Sequence, residues 1–396
     1  MNYLRYYSNE NIAQMKILQI GKFFPSLGGL EKVMYDTTIG LSQKGHRCDI
    51  LCTVLDNHSQ GDIRLNEYAS ILRVPFMMKV AATMIAPAMI FRLRKIQKEY
   101  DIIHVHHPDP MACLALYLSG FKGPVVVHWH SDILKQKQLL KLYRPLQNWM
   151  LRRAEAIIGT TPTYVQESPF LQNVQDKITV IPIGIDELRP NKEQVALLKE
   201  EYAGKKIIFA LGRLVGYKGF EYLIKAARQL EDDCVILIGG KGPLQATLQA
   251  LIEQEGVSDK VKLIGFVSDD ELPNYFGASH LFCLSSIWKT EAFAIVQVEA
   301  MSCGTPVVAT KIPESGVSWV NAAGVSGMNV EPEDAEALAS AIKDILSDEQ
   351  LYAQLARGAR QHYETMFTKE LMIKRCLNLY QTIMERNCLM NGTSDI

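Results

Sequence analysis

Residues 285–310 read SSIWKTEAFAIVQVEAMSCGTPVVAT, and the order of elements they spell decides the fold. An apolar run, HLFCLS, leads into the stretch and has the look of a buried strand. A loop follows, then a helical pattern from about Phe293 to Ser302, with Gly304 as its stop and Pro306 beyond. The β-rich VVAT closes the unit, which is therefore strand, loop, helix, strand. Glu291 sits in the loop at the helix mouth. Glu299 lies inside a helix that is otherwise almost wholly apolar (Ala294, Ile295, Val296, Val298, Ala300, Met301). An ionised carboxylate there is costly unless something meets its charge. Polyhydroxyl ligands do so, because one carboxylate accepts two hydroxyl hydrogen bonds at once.

The same alternation runs through the whole chain. Apolar β-rich runs fall at 17–21, 48–53, 102–107, 125–130, 156–161 and 178–184, then at 207–212, 234–240, 261–267, 281–286 and 307–310, with helical patterns between them. That is how parallel α/β sheets are written. The polar stretch Asp186–Lys192 with Pro190 is the linker candidate, so two doubly wound domains are expected, 1–187 and 188–369. A last helix follows at about 370–388. In open α/β sheets ligands gather at the carboxyl ends of the strands, and two facing domains make a cleft there.

At 396 residues, 48% apolar and 21% charged, the chain is an ordinary globular protein with room for two cores. Its net charge of −1 hides an asymmetry: residues 1–190 carry 22 Lys and Arg against 16 Asp and Glu, the remainder 20 against 27. The excess in the first half is too small for a nucleic-acid partner but suits an anionic surface such as a membrane. Residues 134–153, LKQKQLLKLYRPLQNWMLRR, combine six cations with Leu, Tyr, Trp and Met and hold no acid. This pattern fits an interfacial basic amphipathic helix, and equally a solvated helix with one apolar core face. Eight scattered cysteines without a C-x-x-C pair speak for buried thiols in a reducing compartment and against a zinc site. The start, MNYLRYYSNENIAQ, has no signal-peptide core and precedes a cleaner beginning at Met15, so residues 1–14 read as an extension. No segment is long enough to span a membrane, and a cytoplasmic protein, peripheral on the inner face of the plasma membrane, is expected.

Candidate binding groups stand at strand ends. Gly28 and Gly29 lie between a strand and a helix, where backbone approaches an anionic ligand or simply turns tightly. Arg213 and Lys218 stand five apart on the glycine-rich loop GRLVGYKG and can close on a diphosphate. Gly240 ends the next strand; Phe266 and Val267 end the third, where a base can be received. In HWHSD, His128, His130 and Asp132 admit a metal reading, but no surrounding pattern supports it. A His130 facing the cleft, oriented or polarised by Asp132, is preferred for its strand-end position, against a histidine satisfied inside the core. His104, His106 and His107 read as structural.

Together these residues resemble the retaining GT-B glycosyltransferases of family 4, the group 1 transferases. The resemblance covers nearly the whole chain from Met15, and its most specific part is the E-x7-E block Glu291…Glu299 within EAFAIVQVEAMSCGTPVVAT. It implies two Rossmann-like domains facing a central cleft, the first binding the acceptor and the second the nucleotide sugar. The last helix would pack back onto the first domain. It implies that Glu299 holds the ribose hydroxyls, and that Arg213 and Lys218 neutralise the diphosphate. Glu291 would contact the donor sugar with the Phe293 and Ala294 amides; Gly28 and Gly29 would lie near phosphate and acceptor, with His130 beside the reacting sugar. The family usually has glycine after the phenylalanine; this chain has Ala294, whose methyl would narrow the room for the sugar. The expected reaction moves a hexose from a UDP-sugar or GDP-mannose to a glycan or lipid-linked glycan, with retained configuration and without metal or other cofactor, in surface-polysaccharide assembly. A non-catalytic sugar-nucleotide-binding member and a nucleotide-sugar epimerase are the alternatives.

Overall fold

The computed structural model describes residues 14–24, 28–54, 61–80, 83–134, 137–202 and 204–392. Nearly all of the expected extension, residues 1–13, lies outside them. By residue contacts the chain divides into two units. The first takes the described residues of 1–129, 136–157 and 375–396, the second those of 130–135 and 158–374. The sequence places the boundary at 187/188. The contacts instead put the short segment 130–135 and everything from Ile158 in the second unit, and return the chain to the first at Arg375.

The first sheet is built from β1 (Lys16–Phe24), β2 (Arg47–Val54), β3 (Ile63–Asn66) and β4 (Ala69–Val74). After the ribbon β5 (Met78–Val80) and β6 (Thr83–Ile85) come β7 (Ile102–His107), β8 (Val125–Trp129), β9 (Ala156–Gly159) and β10 (Ile178–Val180). Its order is β10-β9-β8-β7-β1-β2-β4-β3. The second sheet comprises β11 (Lys206–Leu211), β12 (Cys234–Gly239), β13 (Val261–Gly265), β14 (Leu281–Leu284), β15 (Val307–Thr310) and β16 (Gly327–Val330), in the order β13-β12-β11-β14-β15-β16. Its pairings are all parallel. Every residue of β7, β8, β12, β14 and β15 is buried, as expected where helices cover both faces. In the second unit Ile208, Ile236, Ile238 and Leu281 pack against Leu223, Ile224 and Ile342 to make the core.

Some strands escape the sequence reading and others shrink. In β4, Ser70 and Arg73 break the apolar run; β5 is wholly exposed; β16, GMNV, has little β propensity. The run ITVIPIG forms only the short β10, because Pro182 has no N–H for a ladder. Thr161, expected in a strand, instead caps the Pro162–Glu167 helix by accepting the Tyr164 N–H. The final helix runs Lys369–Gly392 and buries Met372, Ile373, Cys376, Tyr380 and Ile383, a stripe at helical spacing. Among the described residues no helix is long and apolar enough to cross a membrane.

Candidate active site

In the second sheet the strand order turns at β11: β12 lies on one side of it and β14 on the other. Loops leaving the carboxyl ends of the adjacent strands β11 and β14 therefore stand at the switch point, which is where open α/β sheets hold ligands. These two loops are the glycine-rich segment from Gly212 and the segment from Ser285 that the sequence singled out.

They meet in an ion pair. Lys218 Nζ lies 2.5 Å from Glu291 Oε2, and the Ser286 hydroxyl donates to the same oxygen at 2.9 Å. Both charged side chains are about nine-tenths buried. Burial works against the Lys218 charge, but Glu291, with Tyr217, outweighs it and holds the ammonium pKa above its ordinary value. The Lys218 backbone is pinned as well, since its carbonyl accepts from the Ser285 hydroxyl at 3.0 Å. The next residue must be glycine: Gly219 has φ +61°, and a Cβ there would stand 2.1 Å from the Ser285 carbonyl oxygen. Arg213, on the same loop, is exposed.

Gly240, expected at the donor, has a packing duty. Its φ is +134°, and a Cβ would fall 1.9 Å from the Gly212 carbonyl oxygen, so it lets the loops after β11 and β12 lie backbone to backbone. Phe266 is two-thirds exposed beyond the end of β13, with Lys241 Nζ 5.7 Å from its ring centre, whereas Val267 is buried.

The helix bearing Glu299 spans Ile295–Ser302, two residues shorter than expected, because Ala294 has left the helical region for φ +59°, ψ +75°. This is the position where the related pattern has glycine, and the backbone shows why: the left-handed region penalises a Cβ. The Ala294 methyl is itself buried, as is Phe293. Gln297, fully buried, donates to the Phe293 and Val317 carbonyls and holds the turn. Glu299 is partly exposed on the same helix.

Asp132 and His130 belong by contacts to the second unit, and both are buried. The Asp132 carboxylate accepts from Ser168 Oγ at 2.8 Å and lies 3.1 Å from Lys289 Nζ, while its backbone N–H donates to the Tyr164 hydroxyl at 2.8 Å. Lys289 also pairs with Glu314 at 2.9 Å and sits 5.2 Å above the Tyr164 ring. Lys289, Ser286 and Tyr164 were not anticipated; the only hint was a cation two residues before Glu291. Gly28 precedes the Gly29–Gln43 helix in extended conformation, and both glycines are exposed.

The metal-like grouping differs from the one the sequence suggested. His130 and Asp132 lie in the second unit, whereas His128 gathers with His104 and His106 in the first, their ring nitrogens within 4.8 Å of one another. These rings stack at 4.6–5.5 Å between centres and are wholly buried. His104 Nδ1 meets the Tyr380 hydroxyl and His106 Nε2 meets Gln19 Oε1, each at 2.6 Å. Gln19 in turn donates to Thr38 Oγ1 at 2.9 Å. Burial, then the neighbouring His128, holds the His104 pKa well below the usual histidine range, and burial takes His128 down to about 3. His107 stacks on Trp129 at 3.7 Å.

Comparison with known proteins places the chain in a family and identifies its fold. The family model for glycosyl transferases group 1 matches residues 195–362, and that for glycosyltransferase family 4 matches residues 27–189. The O-antigen chain mannosyltransferase C of Escherichia coli is 30% identical over 94% of this chain and 99% of that protein. The D-rhamnosyltransferase WbpZ of Pseudomonas aeruginosa is 28% identical over 89% and 92%. Among solved structures, Anabaena Alr3699/HepE in complex with UDP superposes with a TM-score of 0.76 at 22% identity, covering 93% of this chain and all of that one. The sucrose-phosphate synthase of Thermosynechococcus elongatus gives 0.76 at 21%, over 94% and 100%. These two likenesses bear on the fold, which is GT-B.

Proposed function

The chain belongs to the group 1 glycosyltransferases of family 4, and from that premise we propose that it moves a hexose from a nucleotide diphosphate sugar to a glycan or lipid-linked glycan, retaining the anomeric configuration. The observation that carries the reading is the buried Lys218–Glu291 pair at the switch point of the second sheet. Lys218 and the exposed Arg213 meet the diphosphate; Glu299 takes the ribose hydroxyls; the base rests near Phe266 and Val267. Glu291, with the Phe293 and Ala294 amides, positions the sugar, and His130 and Asp132 serve the acceptor. In the reaction the bond from the anomeric carbon to the diphosphate oxygen breaks and a bond to the acceptor oxygen forms. The acceptor's proton passes to the leaving diphosphate. Negative charge grows on that diphosphate, and fixed cations stabilise it in surroundings where such interactions are strong. Two protein cations can do this work without a metal ion.

The relatives' names point to mannosyl transfer in O-antigen assembly as the first case to test, with UDP-hexoses as the second. Nucleotide diphosphate release should be followed with a panel of donors in excess chelator. Turnover that persists there, and collapses in Lys218→Ala and Glu299→Ala, agrees with the reading; a double variant working at full rate ends it.

A membrane-facing location fits the same role, and a specific feature favours it. The helix Lys137–Arg153 buries Tyr143, Gln147, Met150 and Leu151 yet exposes Leu139, Lys141, Leu142 and Arg144. Apolar and basic groups side by side suit an anionic cytoplasmic leaflet. Co-flotation with anionic but not zwitterionic vesicles, weakened in Leu142→Glu, would bear this out.

A further inference from the structure

We infer that the cavity beside Trp288 is a saccharide subsite, which takes a sugar ring of the acceptor next to the one carrying the reacting hydroxyl. As an acceptor site it rests on the transferase reading above; as a saccharide site it stands on its own walls. The cavity measures 470 Å³ and is lined by Leu134, Ile287, Trp288, Lys289, Pro313 and Glu314 among others. That volume lies within the span of about 300–1,000 Å³ usual for small-molecule pockets.

Its chemistry is mixed in the way a pyranose needs. Trp288 is 55% exposed and lines the cavity, so its indole is within reach of a ligand. The axial C–H bonds of a pyranose, polarised by the ring oxygens, rest on such an electron-rich face. Opposite requirements are met by Lys289 and Glu314, joined at 2.9 Å, and by Thr290: ammonium, carboxylate and hydroxyl together donate to and accept from sugar hydroxyls. A hydrocarbon chain seated here would cover two charged groups without offering them a hydrogen bond, which is unfavourable. A saccharide replaces the water they lose.

The cavity is also built, rather than left over. Lys289 is anchored by the wholly buried Asp132 carboxylate at 3.1 Å, so its ammonium holds one place. Glu314 is among the described non-glycine residues with a left-handed backbone, φ +59°. Strain of this kind persists where the surroundings over-determine it. Both walls are tied to the backbone at Glu291 and Ala292. The Glu291 N–H donates to the Trp288 carbonyl at 2.9 Å, the Ser315 hydroxyl donates to the Glu291 carbonyl, and the Gly316 N–H donates to the Ala292 carbonyl at 3.0 Å. A sugar on Trp288 would therefore lie along the same loop as the transferred hexose.

The test follows tryptophan fluorescence with α-mannobiose as the probe and decyl phosphate as the lipid control. A saturable change should occur with mannobiose in the wild type and in Glu299→Ala, be lost in Trp288→Phe, and be missing with decyl phosphate. In transfer assays Trp288→Ala should raise acceptor KM about tenfold or more, the loss expected for one apolar contact, with partial rescue in Trp288→Tyr. A mannobiose response that survives Trp288→Phe, or no response at all, overturns the subsite; so does a response to decyl phosphate alone, which would make it a lipid pocket. Failure of the transferase reading shows separately: the wild type would gain no thermal stability from any nucleotide sugar, whatever mannobiose does.

Discussion

Among the described residues, the buried histidines of the first unit and the buried ion pairs of the second have opposite chemistry. In the first unit His104, His106 and His128 lie ring on ring within the sheet, and the two for which burial moves the pKa, His104 and His128, move towards the neutral form. Tyr380 and Gln19 each serve one ring nitrogen, of His104 and His106, so these two rings find hydrogen-bond partners within the first unit. In the second unit Lys218 with Glu291, and Lys289 with Asp132, form ion pairs that are less deeply buried, and they sit in loops beyond strand ends. Burial alone therefore does not mark a site. What distinguishes function from packing is a charge kept ionised, by a partner, where a ligand can reach it.

The sharpest way to break that contrast is at Lys218. Lys218→Met should lower kcat/KM by about 10²–10³-fold, the usual loss when one charge-stabilising group is removed. It should also destabilise the second unit by about 1–3 kcal/mol, because Glu291 is left buried and unpaired. Adding Glu291→Gln should return much of the stability and none of the turnover. Parallel steady-state kinetics and denaturant titrations would separate the two effects; recovery of both together would contradict the assignment.

His104 and His128 should report through pH instead. Their folded pKa values are depressed, so below pH about 6.5 the unfolded chain binds protons that the folded chain refuses. Their contribution to stability is thus complete above pH about 6.5 and is lost as pH falls towards about 3, the folded value for His128. For His128 the loss is about 1.4 kcal/mol per pH unit over that span. Melting temperature against pH should show the slope, reduced in His128→Asn, while the pH profile of kcat at saturating substrate stays put. Tyr380→Phe, which takes the hydroxyl from His104, should cost about 0.5–1.5 kcal/mol and leave turnover alone.

Smallest is Ala294→Gly. Relieving a left-handed alanine should stabilise by about 1 kcal/mol, seen as a small rise in the chemical midpoint. A loss of stability would mean that contacts of the buried methyl outweigh the backbone strain.

Much of this was legible before any coordinates. Five of the six strands of the second sheet, β11 to β15, could be placed to within a few residues, because runs such as CVILIG and LFCL are apolar on both faces and so need a covered parallel sheet. Glu299, Arg213 and Lys218 stood out because each breaks a local pattern, as a charge in an apolar helix or on a glycine-rich loop, and Glu291 as the first carboxylate of the E-x7-E block. Short strands interrupted by polar residues, β4 and β16 among them, gave no such contrast. Lys289 looked like any surface lysine.

Local sequence thus determined the kind of fold and the residue types of the site, since propensity and periodicity are properties of neighbours along the chain. Only the tertiary structure decided which partners met: that Lys218 reaches Glu291 across 73 positions, and that His104 meets Tyr380 across 276. It also assigned Gly240 to loop packing and gathered His128 with His104 and His106 rather than with Asp132. The reason is physical. A charge or ring declares its needs in the sequence, but what satisfies them is set by strand order and register, which bring distant segments within hydrogen-bond range.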